Sequence, residues 1–222
     1  MEWAIEQHDW DLIIMMGGRW ECADVVVPGS ELDLSDIGAI RNHVLTNDIN
    51  KSTIPAFAWN SLWTTPENDE EWKATLTSSA KTSYESRWNT VVKYYQGSTQ
   101  YLYESTVRGL RNIILPEYKF DHLIHNSTLI QNAKNQGLSN YDIYRDYGHC
   151  TDLIRMISAA NWYCSITGED VSTITIPDIQ SALRFKTADR NTGNPFTLTT
   201  DQKTLLVKLV GDTISNPYEV TK

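Results

Sequence analysis

Three short apolar runs, each cut off by turn-forming or polar residues, limit what this chain can fold into more than any other feature. Asp11-Leu12-Ile13-Ile14-Met15-Met16 stops at Gly17-Gly18, Ile54-Pro55-Ala56-Phe57-Ala58-Trp59 at Asn60, and Phe120-Asp121-His122-Leu123-Ile124-His125 at Asn126. Runs of that length, bounded in that way, suit buried strands. Helical periodicity lies between and after them. Residues 34–49 align Ile37, Ile40, Val44 and Leu45, with Ser35 or Asp36 as N-cap. Residues 101–115 present Leu102, Val107, Leu110, Ile113 and Ile114 and are expected to stop before Pro116. Residues 151–167 carry Leu153, Ile154, Met156, Ile157, Ala160 and Tyr163, with Gly168 where a C′ glycine belongs. Alternation of strand and helix predicts an α/β fold with a parallel sheet. Ligands bind beyond the carboxyl ends of such strands, so Gly17, Gly18, Asn60 and Asn126 are expected around one crevice.

The length of 222 residues favours one domain with a core large enough to need no disulfide or metal. The stretch 64–100, polar and rich in Trp, reads as an excursion over the catalytic end of the sheet. The tail 171–222 reads as an extension: a strand or loop, then a helix near 200–210 on the outside. With 19 Lys plus Arg against 28 Asp plus Glu, the formal charge is −9. No nucleic-acid or anionic-membrane partner is expected of so acidic a chain without a basic run. No apolar stretch reaches 18 residues, so no membrane span is expected. The start lacks the pattern of a secretory signal. The expectation is therefore a cytoplasmic protein, or a secreted or periplasmic one if an upstream signal was removed. Cys22, Cys150 and Cys164 are too few and too scattered for a disulfide framework or metal site.

Chemistry is suggested most by Arg145-Asp146-Tyr147-Gly148-His149-Cys150. A carboxylate three residues before a histidine can hold Nδ1–H and leave Nε2 to take a proton. The match needs only two residues, so an incidental reading stands beside it. His122 and His125 invite a zinc reading, but residues three apart on a strand face opposite ways. Glu67, Asp69, Glu70 and Glu71 read as a solvated helix start ahead of a glycosidase pair. Gly17-Gly18 lacks the rest of a dinucleotide loop, so no cofactor is expected; its amides still suit an oxyanion contact. Eight Trp and eleven Tyr fit either an aromatic-lined carbohydrate cleft or an ordinary core. Trp59, Trp63, Trp72 and Trp88 are the candidate cleft wall, with Asn126 and Gln131 beside it.

Several segments together resemble one family. His8-Asp9-Trp10-Asp11-Leu12-Ile13-Ile14 resembles the third strand of SGNH/GDSL-type hydrolases, in an uncharacterised bacterial branch. Thr128-Leu129-Ile130-Gln131-Asn132-Ala133-Lys134, the block 145–151 and Asn161-Trp162-Tyr163-Cys164-Ser165-Ile166-Thr167-Gly168 resemble later motifs of that branch, in order and spacing. The resemblance covers residues 8–170 in patches. It implies a flavodoxin-like three-layer sandwich and hydrolysis of acyl esters, often of acylated carbohydrates. Asp146 would orient His149 as general base, with Gly17 and Gly18 in the oxyanion block and Asn60 lining the crevice. The family's serine block and first two strands have no counterpart here. Ser30 and Ser61 are the local substitutes. The resemblance thus implies a small-molecule or carbohydrate ester as substrate. It also implies that the first strand is an exposed edge, completed by an upstream segment or a second copy. A non-catalytic glycan- or protein-binding remnant of the same fold is the other reading.

Overall fold

The computed structural model describes residues 5–6, 8–18, 20–46, 54–175 and 198–221. The three apolar runs form β1 (Leu12–Met16), β2 (Ala56–Asn60) and β3 (His122–Ile124), all parallel, in the order β1-β2-β3. Leu12 pairs with Ala56 and Met16 with Asn60; Ala58 pairs with His122 and Asn60 with Ile124. A central parallel strand has both faces to cover. Phe57, Ala58, Trp59 and Asn60 are accordingly no more than 2% exposed. Phe57 and Trp59 pack with Met15 against Ile37 and Val44 of α1 (Leu34–Thr46). Leu110 and Ile114 join them from the end of α4 (Thr99–Gly109). On the opposite side α7 (Asp152–Thr167) packs against β3. The arrangement is α/β, with a parallel sheet between helical layers in flavodoxin-like fashion. No helix among the described residues is long and apolar enough to cross a membrane.

Local sequence explains most of the helix ends, and where it misleads the reason is visible. Asp33, rather than Ser35 or Asp36, opens α1: its carboxylate accepts from both the Ser35 amide (2.8 Å) and hydroxyl (2.6 Å). The last three residues of the expected helix, 47–49, lie outside the described residues. α4 does not stop before Pro116. It runs on through a π-helical segment, Leu110–Ile114, and a final turn, Leu115–Glu117. Proline is tolerated at the start of a new helical turn because no bond there uses its missing N–H. Thr151 caps α7, and Gly168 ends it in the left-handed region (φ 75°).

The excursion 64–100 carries α2 (Glu70–Ala74) and α3 (Ser78–Tyr94). Trp72 and Tyr84 from these helices are buried edge-to-face, with ring centroids 5.6 Å apart. They share a core with Ile130 of α5 (Asn126–Asn135), Ile143 of α6 (Asn140–Ile143) and Ile154 of α7. The acidic run is structural in part. Asp69 caps α2 by accepting from the Trp72 amide, and Glu67 pairs with the buried Lys134 ammonium at 3.0 Å. The tail forms α8 (Thr200–Ser215), which is no external appendage: Leu206, Leu209 and Val210 are at most 1% exposed within that same core. The expected strand or loop before it is represented by a 3-10 turn, Val171–Thr173; residues 176–197 lie outside the described residues. Among the described residues, β1 is an edge of the sheet. A cavity of about 500 Å³ runs beside it, lined by Ile13, Ile14, Met16, Ile37 and Ile40.

Three consequences can be measured. A Cβ on Gly109 would sit 1.8 Å from the Cys22 carbonyl oxygen, so α4 must retreat from the 22–23 backbone. Gly109→Ala is expected to cost about 2 kcal/mol or more in chemical denaturation. Gly211→Ala, inside α8 with its nearest neighbour at 3.9 Å, should instead stabilise by about 0.5–1 kcal/mol. His125, against the Tyr218 ring at 4.8 Å, is held neutral because burial lowers its pKa to about 4. Between pH 6.5 and 4 only the unfolded chain takes that proton, so stability should fall by about 3 kcal/mol across this window as pH drops. His125→Phe should flatten that part of the curve.

Candidate functional site

The segment between α6 and α7 is a tight loop hung on two buried anchors. Tyr144 is 2% exposed and donates its hydroxyl to the Thr64 carbonyl at 3.1 Å, while its own carbonyl accepts from the Trp72 indole at 3.4 Å. Cys150 is 4% exposed and pairs with Tyr144 in an isolated antiparallel bridge. The Arg145 amide donates to the His149 carbonyl at 2.9 Å, which closes the loop on itself. Arg87 of α3 braces it from outside, donating to the Tyr147 carbonyl at 3.1 Å and lying 4.4 Å over the Tyr147 ring.

Within this loop the Asp146 carboxylate is the hub. Oδ1 accepts from the Gly148 amide (2.8 Å) and the His149 amide (2.9 Å). His149 Nδ1 lies 2.9 Å from Oδ1 and 3.0 Å from Oδ2. Partial burial works to raise the Asp146 pKa. The hydrogen bonds from Gly148 and His149 outweigh it and hold the carboxyl below the usual aspartate value. An ionised acceptor assigns the proton to Nδ1, which leaves the Nε2 lone pair outward. Nε2 has no hydrogen-bond partner among the described residues, and the His149 side chain is 65% exposed.

His149 lines a cavity of about 510 Å³. Its wall also holds Trp63, Arg145, Arg155, Ser158 and Trp162. Trp63 follows β2, whereas Arg155, Ser158 and Trp162 recur at helical spacing along one face of α7. These three were missed in the sequence: only the fold brings that face opposite a tryptophan almost a hundred residues earlier.

Of the other candidates, Trp59 is 2% exposed and packs under β1 with Phe120, at 5.5 Å between ring centroids. Asn60 and Asn126, expected at a crevice, are each 1% exposed and belong to a buried amide chain. Asn126 donates to Asn60 at 2.9 Å, and Asn161 of α7 donates to Asn126 at 3.2 Å. Gln131 is 7% exposed, and its buried Oε1 has no hydrogen-bond partner among the described residues. Gly17 is buried against Cys22 Sγ, and the Gly18 amide donates to the Glu21 carboxylate at 2.5 Å. Ser61 donates to the Ile124 carbonyl and accepts from Ser127, while Ser30 lines a separate, smaller cavity beside Cys22. Among the described residues, then, Trp63 and His149 share one cavity wall, which contains neither the glycine pair nor the asparagines.

No protein-family model matches the sequence, and no curated protein does. Among solved structures, the chain is similar to a DUF4886 family protein from Bacteroides uniformis. The TM-score is 0.60 at 14% identity, covering 99% of this chain and 68% of the other. At that identity the likeness speaks for a shared fold.

The pH dependence of the loop follows from the Asp146 shift. Because its pKa is depressed on folding, ionised Asp146 stabilises the folded state at pH values above the unfolded aspartate pKa. That contribution is lost as pH falls through the folded pKa. Asp146→Asn should therefore lower stability by about 1–2 kcal/mol at pH 7. The gap between variant and parent should narrow in parallel urea titrations as pH falls below the usual aspartate range.

Proposed function

We propose that this chain is a hydrolase of the SGNH/GDSL type that cleaves acyl esters, with acylated carbohydrates as the substrate class. One observation carries the reading: a solvent-facing imidazole on a cavity wall, its Nδ1 held by an ionised aspartate three residues earlier. The ordered motifs at 8–14, 128–134, 145–151 and 161–168 support it independently.

In the proposed reaction, His149 Nε2 removes the proton of a hydroxyl as that oxygen attacks the ester carbonyl. The carbonyl π electrons move to oxygen. Collapse of the tetrahedral adduct re-forms the carbonyl and breaks the bond to the alcohol oxygen, which takes the proton back from the imidazolium. Water then repeats the sequence on the acyl intermediate, releasing the acid. Asp146 keeps the ring in the required tautomer and stabilises the imidazolium between the two proton transfers. In SGNH/GDSL enzymes the attacking hydroxyl is a serine, and among the described residues Ser158 is the serine on the His149 cavity wall.

Turnover of p-nitrophenyl acetate tests the proposal. His149→Ala is expected to lower kcat/KM by about 100-fold or more, and Asp146→Asn to lower it without abolishing it. Turnover at background and unchanged by His149→Ala would reject catalysis and leave a binding module.

A further inference from the structure

We propose that the cavity beside His149 takes an organic anion: a ligand with a carboxylate set next to a flat ring face. The proposal rests on the reading of this cavity as the substrate site, and it narrows the substrate class to acidic esters. Charge on the cavity wall points there first. Acidic residues outnumber basic ones 28 to 19 in the chain, yet among the described residues the lining of this cavity holds two arginines and a histidine, Arg145, Arg155 and His149, and no carboxylate. Both arginines have carboxylate neighbours, but neither carboxylate lines the cavity. Arg155 Nη1 lies 3.2 Å from Asp152, and Arg145 Nε lies 3.7 Å from Asp146 Oδ2.

Unmet hydrogen-bonding capacity points the same way. At 3.7 Å the Arg145–Asp146 contact is a charge contact beyond hydrogen-bond length. Among the described residues, Arg145 Nε and the indole nitrogen of Trp63 on the same wall are buried without a hydrogen-bond partner. Both are donors, so the wall carries hydrogen-bonding capacity that its own residues leave unmet. Those two nitrogens are closed to solvent, so a ligand first meets the open parts of the Arg145 and Arg155 side chains, 29% and 35% exposed, and a carboxylate is the acceptor that matches a guanidinium fork. The two indoles, Trp63 and Trp162, supply apolar area for a sugar or aromatic ring.

The probes are two isosteric pairs: methyl β-D-glucuronide against methyl β-D-glucoside, and benzoate against benzamide. Binding is read by ligand-observed NMR and calorimetry on the full chain. The expected result is that an anion binds about tenfold or more tightly than its neutral partner, and that added salt erodes the preference. Arg145→Met and Arg155→Met should each weaken it, while Arg155→Lys, which keeps the charge, should retain part of it. Preference in the sugar pair assigns an acidic sugar; preference only in the aromatic pair assigns an aromatic acid. The proposal is overturned if no anion outbinds its neutral isostere, or if the preference survives both Met variants in folded protein. The binding readout is independent of turnover. An anion preference that persists while His149→Ala leaves hydrolysis unchanged rejects only the esterase. Hydrolysis lost in His149→Ala without any anion preference rejects only the anion site.

Discussion

A five-residue strand that must be dry on both faces governs this structure. β2 lies between two parallel neighbours, so its backbone is committed in both directions and its side chains demand cover above and below. α1 and the end of α4 cover one face, while α7 packs on the other side against β3. At its carboxyl end, Asn60 converts a hydrophobic requirement into a polar one. A buried amide needs partners, and it finds them in Asn126 at the start of α5 and, through Asn126, in Asn161 of α7. Each such group left unpaired would cost about 1–3 kcal/mol, so the chain of amides fixes how the two helices seat on the sheet end. Since the loop with Asp146 and His149 runs directly into α7, its height above the sheet follows from that seating.

The loop itself is fixed by a different principle. Its ends are anchored by buried aromatic and sulfur side chains, Tyr144 and Cys150, but its interior is organised by one carboxylate that collects amide and imidazole donors. Such a motif is rigid without being buried. The imidazole can therefore be both oriented and reachable, two properties that conflict for a histidine such as His125, which burial holds neutral.

That difference explains what the sequence made readable. Strands β1–β3 were legible because each run is short, apolar and sharply bounded. α7 was legible because Thr151 and Gly168 mark its ends. The Asp146–His149 contact needed only three residues of separation. The cavity wall was not legible, because Arg155, Ser158 and Trp162 face Trp63 only once the sheet and α7 are assembled. Asn60 and Asn126 were placed at the correct end of the sheet, but nothing local revealed that they would satisfy one another instead of a ligand. The path of α4 past Pro116 was hidden for a similar reason: the break in helical bonding is absorbed by a π-helical segment whose Leu110 and Ile114 are held by tertiary packing.

Oxyanion stabilisation is where the local and the assembled readings meet. Hydrolysis through a tetrahedral adduct needs donors about 2.7–3.1 Å from the developing charge. The diglycine after β1 is the natural place to seek them. Yet the Gly18 amide is already spoken for by the Glu21 carboxylate, and Gly17 is closed in by Cys22 and Trp59. An oxyanion at Gly18 would have to displace a like charge, and repulsion at that distance opposes it unless Glu21 swings away. Among the described residues, the guanidinium groups of Arg145 and Arg155, on side chains 29% and 35% exposed, are instead the reachable donors on the His149 cavity wall. A negative charge is therefore better met beside α7 than beside β1. The cavity along β1, lined by apolar side chains and Asp36, suits packing, whereas the one beside α7 holds the groups that can answer a negative charge.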